Sequence, residues 1–297
     1  MHLFGEDTDA GEVERAIGAG EHFWLDVPRD RFDPQGPVAR ALHVDETTLA
    51  RIGSGGGRPR AFVAEERAAI VFSGASLDGE RVVPVSVTVL AGPPGIVTLR
   101  EGVCEPLDDL KESPHDIDVL SVLDALSDSL LGVATQMESL VEDIEDRILQ
   151  PGAGRLLPRV TDLRQEVARL LRMTRFQRGL VVRNEDTLGE VHVAYGDAAR
   201  RVRDLTGHLA YADGLAESTR ETIAEALNLY LSIAAERLTR IATVLLPLTV
   251  VTGFFGMNFE WLTEHLGSLW SFLLLGIGGP LVSVAGVRVY LQRRGYG

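Results

Sequence analysis

The tripeptide Gly256-Met257-Asn258, with Glu260 close behind it, offers the clearest chemistry in the chain. The side-chain carbonyl of Asn258 accepts hydrogen bonds from the water that a divalent cation holds. Because Mg²⁺ releases that water reluctantly, a ring of such carbonyls would bind the metal ion through its hydration shell. Gly256 permits the tight backbone that presents the carbonyl, and Met257 is expected to pack behind it. Glu260 either raises the cation concentration near Asn258 or is an ordinary solvated loop residue.

Two uncharged apolar segments surround this motif. The first, 241–259, has 19 residues and ends just after Asn258, and the second, 266–287, has 22. A hydrocarbon core of about 30 Å needs roughly 20 apolar residues in a helix, so each segment is long enough to cross a membrane. The residues between them, 260–265, are too few for anything but a tight hairpin.

The basic residues beside these segments predict their orientation. Arginines precede the first segment and follow the second, whereas the connecting loop has neither Lys nor Arg. The positive-inside rule then predicts a multi-pass protein of the inner (plasma) membrane with both termini in the cytoplasm. Residues 1–20 are acidic and have no apolar core, so no signal peptide is expected. The flanking arginines are Arg237, Arg240, Arg288, Arg293 and Arg294.

One face of the first segment, and of the helix expected before it, has small, apolar or weakly polar side chains. Helical steps of three to five residues back from Asn258 trace this face. Small residues leave room for a hydrated ion, Thr249 adds an oxygen, and rings of Leu246 or Leu238 are able to close a pore by dewetting. The same residues also suit plain helix packing, but the motif favours pore lining. This predicted pore face consists of Ala235, Leu238, Ala242, Leu246, Thr249 and Gly253.

Polar side chains lie at helical spacing on the cytoplasmic side of this face. They are Glu221, Glu225 and Asn228. They form a polar ring at the inner end of the path, or they are ordinary solvated residues of a stalk helix.

The C-terminal part of the chain resembles the CorA family of divalent-cation channels in four features, which follow one another along the sequence. They are Pro247-Leu248-Thr249, the run 252–259, a second apolar segment and a basic end. The detailed resemblance begins near residue 203. It implies a homopentameric funnel whose pore is lined by the first membrane helix of each subunit. It also implies Mg²⁺ as the transported ion, with Co²⁺ or Ni²⁺ as further cargo, and no cofactor. Zinc transporters of the related ZntB branch often have Gly-Val-Asn, so Gly-Met-Asn favours Mg²⁺, with Zn²⁺ as the alternative.

The resemblance also indicates a missing residue. The stretch 203–208 resembles one in which relatives have an acid at the position of Gly207, within a cytoplasmic magnesium-sensing site. Without that acid we expect no regulatory site there. His208, like His22, is a lone histidine and is interpreted as a structural hydrogen-bonding residue.

The rest of the chain predicts an α+β cytoplasmic domain followed by long stalk helices. Short β-rich runs bounded by Gly, Pro and Asp indicate strands, and a change to helical spacing after Pro114 indicates helices. No proline intervenes between Gly214 and Pro247, so one helix of 30 or more residues is expected to run into the first membrane segment. The predicted strands are 22–27, 68–73, 81–90 and 95–99. The predicted helices are 45–51, 115–149 and 157–180. The predicted domains are 1–112, 113–240 and 241–297.

Composition limits the function classes. The net charge of -14 argues against nucleic acid as a partner, and it suits either the gathering of cations or plain solubility. The single cysteine, Cys104, excludes an internal disulfide and a thiolate metal cluster. Residues 1–240 contain no Ser-His-Asp order and no nucleotide motif, so we expect no enzyme. A membrane-anchored oligomeric sensor or scaffold, in which the hairpin is only an anchor, is the alternative from another class.

Overall fold

The β-rich runs near the N-terminus pair into one six-stranded sheet in the computed structural model. The order is β1-β2-β6-β5-β4-β3, with β1, β2 and β6 parallel and the others antiparallel. Gly79 and Glu80 form a two-residue loop between β4 and β5, in which Gly79 has a φ of 61° that favours glycine. The strands are β1 (His2–Phe4), β2 (Phe23–Pro28), β3 (Arg60–Ala64), β4 (Arg67–Asp78), β5 (Arg81–Gly92) and β6 (Gly95–Arg100). The structure describes residues 2–5, 8, 10–44, 50, 59–64, 67–93, 95–112, 117–148, 150, 153–190, 197–255, 257, 268, 270 and 272–293.

Helices cover both faces of this sheet. On one face, α1 (Ala10–Ala19) contributes Val13 and Ala16 to a buried cluster with strand residues such as Phe23 and Val97. On the other face lies α4 (Val119–Ile148), where Ser129 Oγ accepts a hydrogen bond from the N–H of Ala75 at 3.1 Å. Successive strand residues point to opposite faces, so continuous burial along β4 fits a sheet covered on both sides.

A buried carboxylate ties the sheet to α3 (Glu105–Lys111). The Asp26 side chain is fully buried and accepts a hydrogen bond from Thr98 at 2.8 Å. Its other oxygen lies 2.7 Å from Lys111 Nζ and 3.3 Å from Arg100 Nε. Two cations therefore compensate the negative charge, and Lys111 is the only lysine in the sequence.

The predicted helices at 115–149 and 157–180 correspond to α4 and α5 (Leu157–Arg183), and the expected long helix is the 58-residue α7 (Ala198–Phe255). The sequence did not predict the short elements β1, β3, α1, α2 (Pro37–Ala41) and α3. The predicted helix at 45–51 lies outside the described residues except for Ala50. The remaining helices are α6 (Glu185–Glu190) and α8 (Gly278–Arg293), with π-helical residues Phe272–Ile277 before α8.

The first half of α7 is packed and its second half is not. Apart from Asp213, its buried residues follow alternating steps of three and four, the spacing of a helix with one packed seam. No described side chain of α7 is buried after Ala226. The chain correspondingly forms two units, Met1–Glu225 and Ala226–Gly297, and the functional division at 112 and 240 stays a prediction. The seam residues are Val202, Leu205, Leu209, Ala212, Ala216, Thr219, Ile223 and Ala226.

Ion pairs fix this packed half of α7 to its neighbours in the first unit. Arg201 binds the buried carboxylate of Asp118, just before α4, through both terminal nitrogens, one of them at 2.9 Å. Further along, Asp213 lies 3.1 Å from Arg175 Nε and 2.9 Å from Arg178 Nη1 of α5. Both carboxylates are largely shielded from water, which strengthens these pairs relative to surface ion pairs.

Candidate functional site

All six residues of the predicted pore face lie in α7, and all are exposed in the described structure. Leu238 is 69% exposed and Leu246 is 70% exposed, so these two apolar side chains are largely uncovered by the described residues of the unit 226–297. A row of uncovered leucines on a helix requires another apolar surface or a lipid environment.

Two features of this face supply oxygen atoms. The Thr249 hydroxyl donates a hydrogen bond to the carbonyl of Leu245 at 2.8 Å, which leaves its lone pairs able to accept one from water. Beside this face, Pro247 lies inside the helix and has no N–H, so the carbonyl of Thr243 loses its usual helical donor. The face is therefore apolar with a few oxygen acceptors.

Part of the predicted pore face lines a groove of about 990 Å³ within the unit 226–297. Ala242, Leu246 and Thr249 contribute to it, and Gly286 and Val287 of α8 line it as well. The groove is bounded by small and apolar side chains from both helices, and it leaves this side of α7 open in the single chain.

Only one residue of the predicted outer mouth is described. The N–H of Met257 donates to the carbonyl of Phe254 at 3.3 Å, and its side chain is 51% exposed. This turn follows directly after the end of α7. Gly256, Asn258 and Glu260 lie outside the described residues, so their roles stay predictions.

The residues predicted at the inner end are all exposed side chains of α7. Glu221 and Glu225 belong to the first unit and Asn228 to the second. They lie away from the buried seam of α7, which suits both interpretations, a polar ring and a solvated helix face.

The structure brings together a group that the sequence did not predict. His208 Nδ1 of α7 lies 3.3 Å from Asp124 Oδ1 and 3.5 Å from Asp128 Oδ1 of α4. Burial, and then the charge of Asp124, raises the pKa of Asp128 above its ordinary value, while His208 opposes this. Asp124 and Asp128 are one helical turn apart, but nothing in the sequence places His208, which is 80 residues after Asp128, beside them.

Cys104 offers no thiolate to a metal in the described structure. It is 1% exposed, and burial raises the pKa of its thiol to about 11. At neutral pH it therefore remains a protonated core residue.

One helix in the described part of the chain is long and apolar enough to cross a membrane, and it lies within Ala198–Phe254. The apolar stretch Gly278–Val287 of α8 is shorter.

A family model for CorA-like Mg²⁺ transporter proteins matches residues 19–293, nearly the whole chain. The chain belongs to this family. Membership in a family of transporters confirms the predicted resemblance and the expectation that the chain is not an enzyme.

Two curated relatives agree with this assignment. YfjQ of Bacillus subtilis, which is named as a metal ion transporter, is 27% identical to this chain. The match covers 68% of this chain and 64% of the length of YfjQ. The cobalt/magnesium transport protein CorA of Thermotoga maritima is 23% identical over 62% of this chain and 54% of its own. The CorA-family chain thus matches less than two thirds of the length of either relative.

Solved structures share the fold. The CorA magnesium transporter from Methanocaldococcus jannaschii superposes with a TM-score of 0.69 over 92% of this chain and 91% of its own, at 15% identity. The cytoplasmic domain of ZntB from Vibrio parahaemolyticus superposes with a TM-score of 0.57 over 72% of this chain and 88% of its own, at 13% identity. The likeness confirms a CorA-like fold with an N-terminal α/β domain and a long helix.

Proposed function

We propose that this CorA-family protein transports divalent cations across the plasma membrane as a homo-oligomer. The observation that carries the proposal is the change in α7 at Ala226, where a packed helix becomes one with no buried side chain. From Ile241 onward this exposed helix is uncharged. Water is a poor environment for such a surface, whereas a bilayer and neighbouring subunits are suitable.

Several subunits are needed to form the path. Two membrane helices from one chain cannot enclose water, and an ion at the bilayer centre is costly without polar lining. We propose a pentamer, as the family resemblance implies, with the predicted pore face of α7 turned toward the axis. The second span, 266–287, is proposed to complete a hairpin at the lipid side, with both termini in the cytoplasm.

Within that assembly the outer mouth captures the cation with its water. A ring of Asn258 carbonyls accepts hydrogen bonds from the hydration shell, Gly256 allows the required backbone, and Met257 packs behind it. Glu260 raises the local cation concentration. Below the mouth, Thr249 supplies a further acceptor, and rings of Leu246 and Leu238 close the pore by dewetting. At the inner end, Glu221, Glu225 and Asn228 are proposed to form the polar exit.

Mg²⁺ is the proposed cargo, because capture through water suits an ion that dehydrates reluctantly and prefers oxygen ligands. Co²⁺ and Ni²⁺ are proposed as further cargo, and Zn²⁺ is the alternative.

Flux into proteoliposomes tests the proposal. The purified full chain should take up Mg²⁺, and Asn258→Ala should reduce uptake strongly while the oligomer stays intact. Val282→Ala is a matched control, because Val282 is 73% exposed on α8 and belongs to no proposed site. Parallel assays with Zn²⁺ and Co²⁺ identify the cargo. Absence of any cation flux in a correctly assembled oligomer would refute transport and favour the sensor or scaffold.

A further inference from the structure

We propose that an arginine-rich face of α5 binds an acidic face of α4 in a second copy of this chain. The inference rests on the homo-oligomer of the proposed function, and it names two surfaces that join neighbouring subunits. The basic face consists of Arg164, Ala168, Arg172 and Phe176, and the acidic face consists of Leu131, Thr135, Glu138 and Glu142.

The basic face is open to solvent in the single chain. None of its residues belongs to the buried set of α5, and Phe176 is 56% exposed. Arg164 and Arg172 are exposed as well. Arginine and aromatic side chains are enriched in protein interfaces relative to the rest of the surface. An uncovered phenylalanine one turn from an arginine therefore indicates a surface that another protein covers.

The acidic face follows one side of α4. Its residues recur at steps of four, three and four, so they form a single stripe along the helix. None of them belongs to the buried set of α4, and Glu142 is exposed. Leu131 adds an apolar side chain to the two carboxylates. The stripe thus complements the basic face in charge and also offers a contact for its apolar atoms.

The charges of both faces lack ion-pair partners in the part of the chain that the structure describes. Other arginines of α5 are paired. Arg159 lies 3.1 Å from Asp143 of α4, and Arg175 lies 3.1 Å from Asp213 of α7. The chain therefore pairs these arginines of α5 where they meet α4 and α7, and it leaves those of the basic face unpaired among the described residues.

The two faces lie at matching levels along their helices. A short connection joins α4 to α5, which run antiparallel, and the ion pair of Asp143 with Arg159 marks a level that they share. At a rise of about 1.5 Å per residue, Arg164 and Glu138 each lie about 7.5 Å from that level, in the same direction. No ion pair joins Arg164 to Glu138 within the described chain, so they point to different sides of the helix pair.

Rotational symmetry would turn these matching levels into contacts. In a ring whose axis follows the helices, every copy keeps its residues at the same level, and unlike faces meet between neighbours. Arg164 of one copy then meets Glu138 of the next. Arg172 and Leu131 lie about 20 and 18 Å from the shared level, so the aliphatic stem of the arginine packs on the leucine. Copies with a net charge of -14 repel one another, and this local pairing offsets the repulsion where they meet.

Zero-length carbodiimide cross-linking of the full chain in proteoliposomes tests the contact. The reagent joins an amine to a carboxylate that touches it. Arg164→Lys places one amine in the basic face, and Lys111, the only lysine in the sequence, is already bound to two carboxylates. We expect a covalent dimer in a denaturing gel, with linked peptides that join position 164 to Glu138 or Glu142.

Arg15→Lys is the matched control, because the side chain of Arg15 is 76% exposed on α1 and belongs to neither face. Arg164→Lys should give roughly tenfold more dimer than this control, because a contact raises the effective concentration of carboxylate around the amine. Adding Glu138→Gln and Glu142→Gln to Arg164→Lys should reduce the dimer to the level of the control.

Charge reversal measures the same contact without a cross-linking reagent. Arg164→Glu places like charges opposite each other and should lower the share of oligomer several-fold in native mass spectrometry at low salt. Combining Arg164→Glu with Glu138→Arg restores opposite charges and should restore the oligomer.

An intact oligomer with no link between position 164 and α4 would overturn the proposal. Equal amounts of dimer in Arg164→Lys and Arg15→Lys, or charge reversal without effect, would do so as well. Mg²⁺ flux through the same proteoliposomes separates the two proposals. Flux without the link counts against this interface alone, whereas a monomeric chain without flux counts against the proposed transport function too.

Discussion

The ion pair between Asp118 and Arg201 gives the sharpest prediction about stability. Asp118 is fully buried, and its Oδ1 accepts hydrogen bonds from the N–H of Ser121 at 2.8 Å and from the Ser121 hydroxyl at 2.7 Å. It therefore caps the N-terminus of α4 and also neutralises Arg201. Removing Arg201 leaves a charged carboxylate in the interior, whereas removing the charge of Asp118 leaves an arginine that is one third exposed and able to reach water.

These differences set the magnitudes. Arg201→Ala should lower the free energy of unfolding by about 3–5 kcal/mol, the cost of stranding a buried charge. Asp118→Asn keeps a capping oxygen and should lower it by about 1–3 kcal/mol. In the double variant neither charge remains, so the loss should stay near that of Asp118→Asn and well below the sum of the two single losses.

Pulse proteolysis of the full chain in urea and mild detergent measures these free energies. A loss below about 1 kcal/mol for Arg201→Ala would refute the reasoning about the buried charge. Two single effects that add within about 0.5 kcal/mol in the double variant would also refute it, because independent sites behave in that way.

Two further predictions concern a close contact and the proposed gate. A Cβ on Gly74 would lie 2.3 Å from Ser129 Oγ, so Gly74→Ala should destabilise the first unit by about 1–3 kcal/mol in urea unfolding. Gly132→Ala has open space and should be neutral or stabilising, and equal effects of the two changes would contradict the packing argument. Leu246→Ser should raise Mg²⁺ flux in proteoliposomes several-fold, because a polar ring stays hydrated. Ile241→Ser, also exposed but on another side of α7 from the predicted pore face, should not, and an equal increase in both would refute the gate.

The parts of the fold that the sequence predicted are those with long, regular patterns. Runs such as 81–90 are rich in valine, and the structure has β5 at Arg81–Gly92. The helix α7 was expected because no proline lies between Gly214 and Pro247, and it continues through Pro247 to Phe255. Short elements were missed: β1 has three residues and α1 contains two glycines, so both depend on the sheet and the core for their stability.

The candidate sites also differ in how far the sequence predicts them, and regular local patterns again decide the outcome. The predicted pore face follows from one periodicity along one helix, and its six exposed residues keep that register in the structure. The cluster of Asp124, Asp128 and His208 depends on two helices far apart in the chain, and a single sequence does not report that proximity. His208 was therefore interpreted as structural, although it lies beside two carboxylates.

The buried pair of Asp26 and Lys111 has a practical consequence for chemical labelling. Lys111 carries the only ε-amine in the sequence, and its ammonium is shared between Asp26 and Asp108, each at 2.7 Å. Acylation would remove that charge and leave the buried Asp26 carboxylate with Arg100 as its remaining cation in the described structure, so the folded protein resists the reaction. Acylation of the Lys111 ε-amine, followed at that residue by peptide mass spectrometry, thus reports the opening of the N-terminal domain without any engineered site.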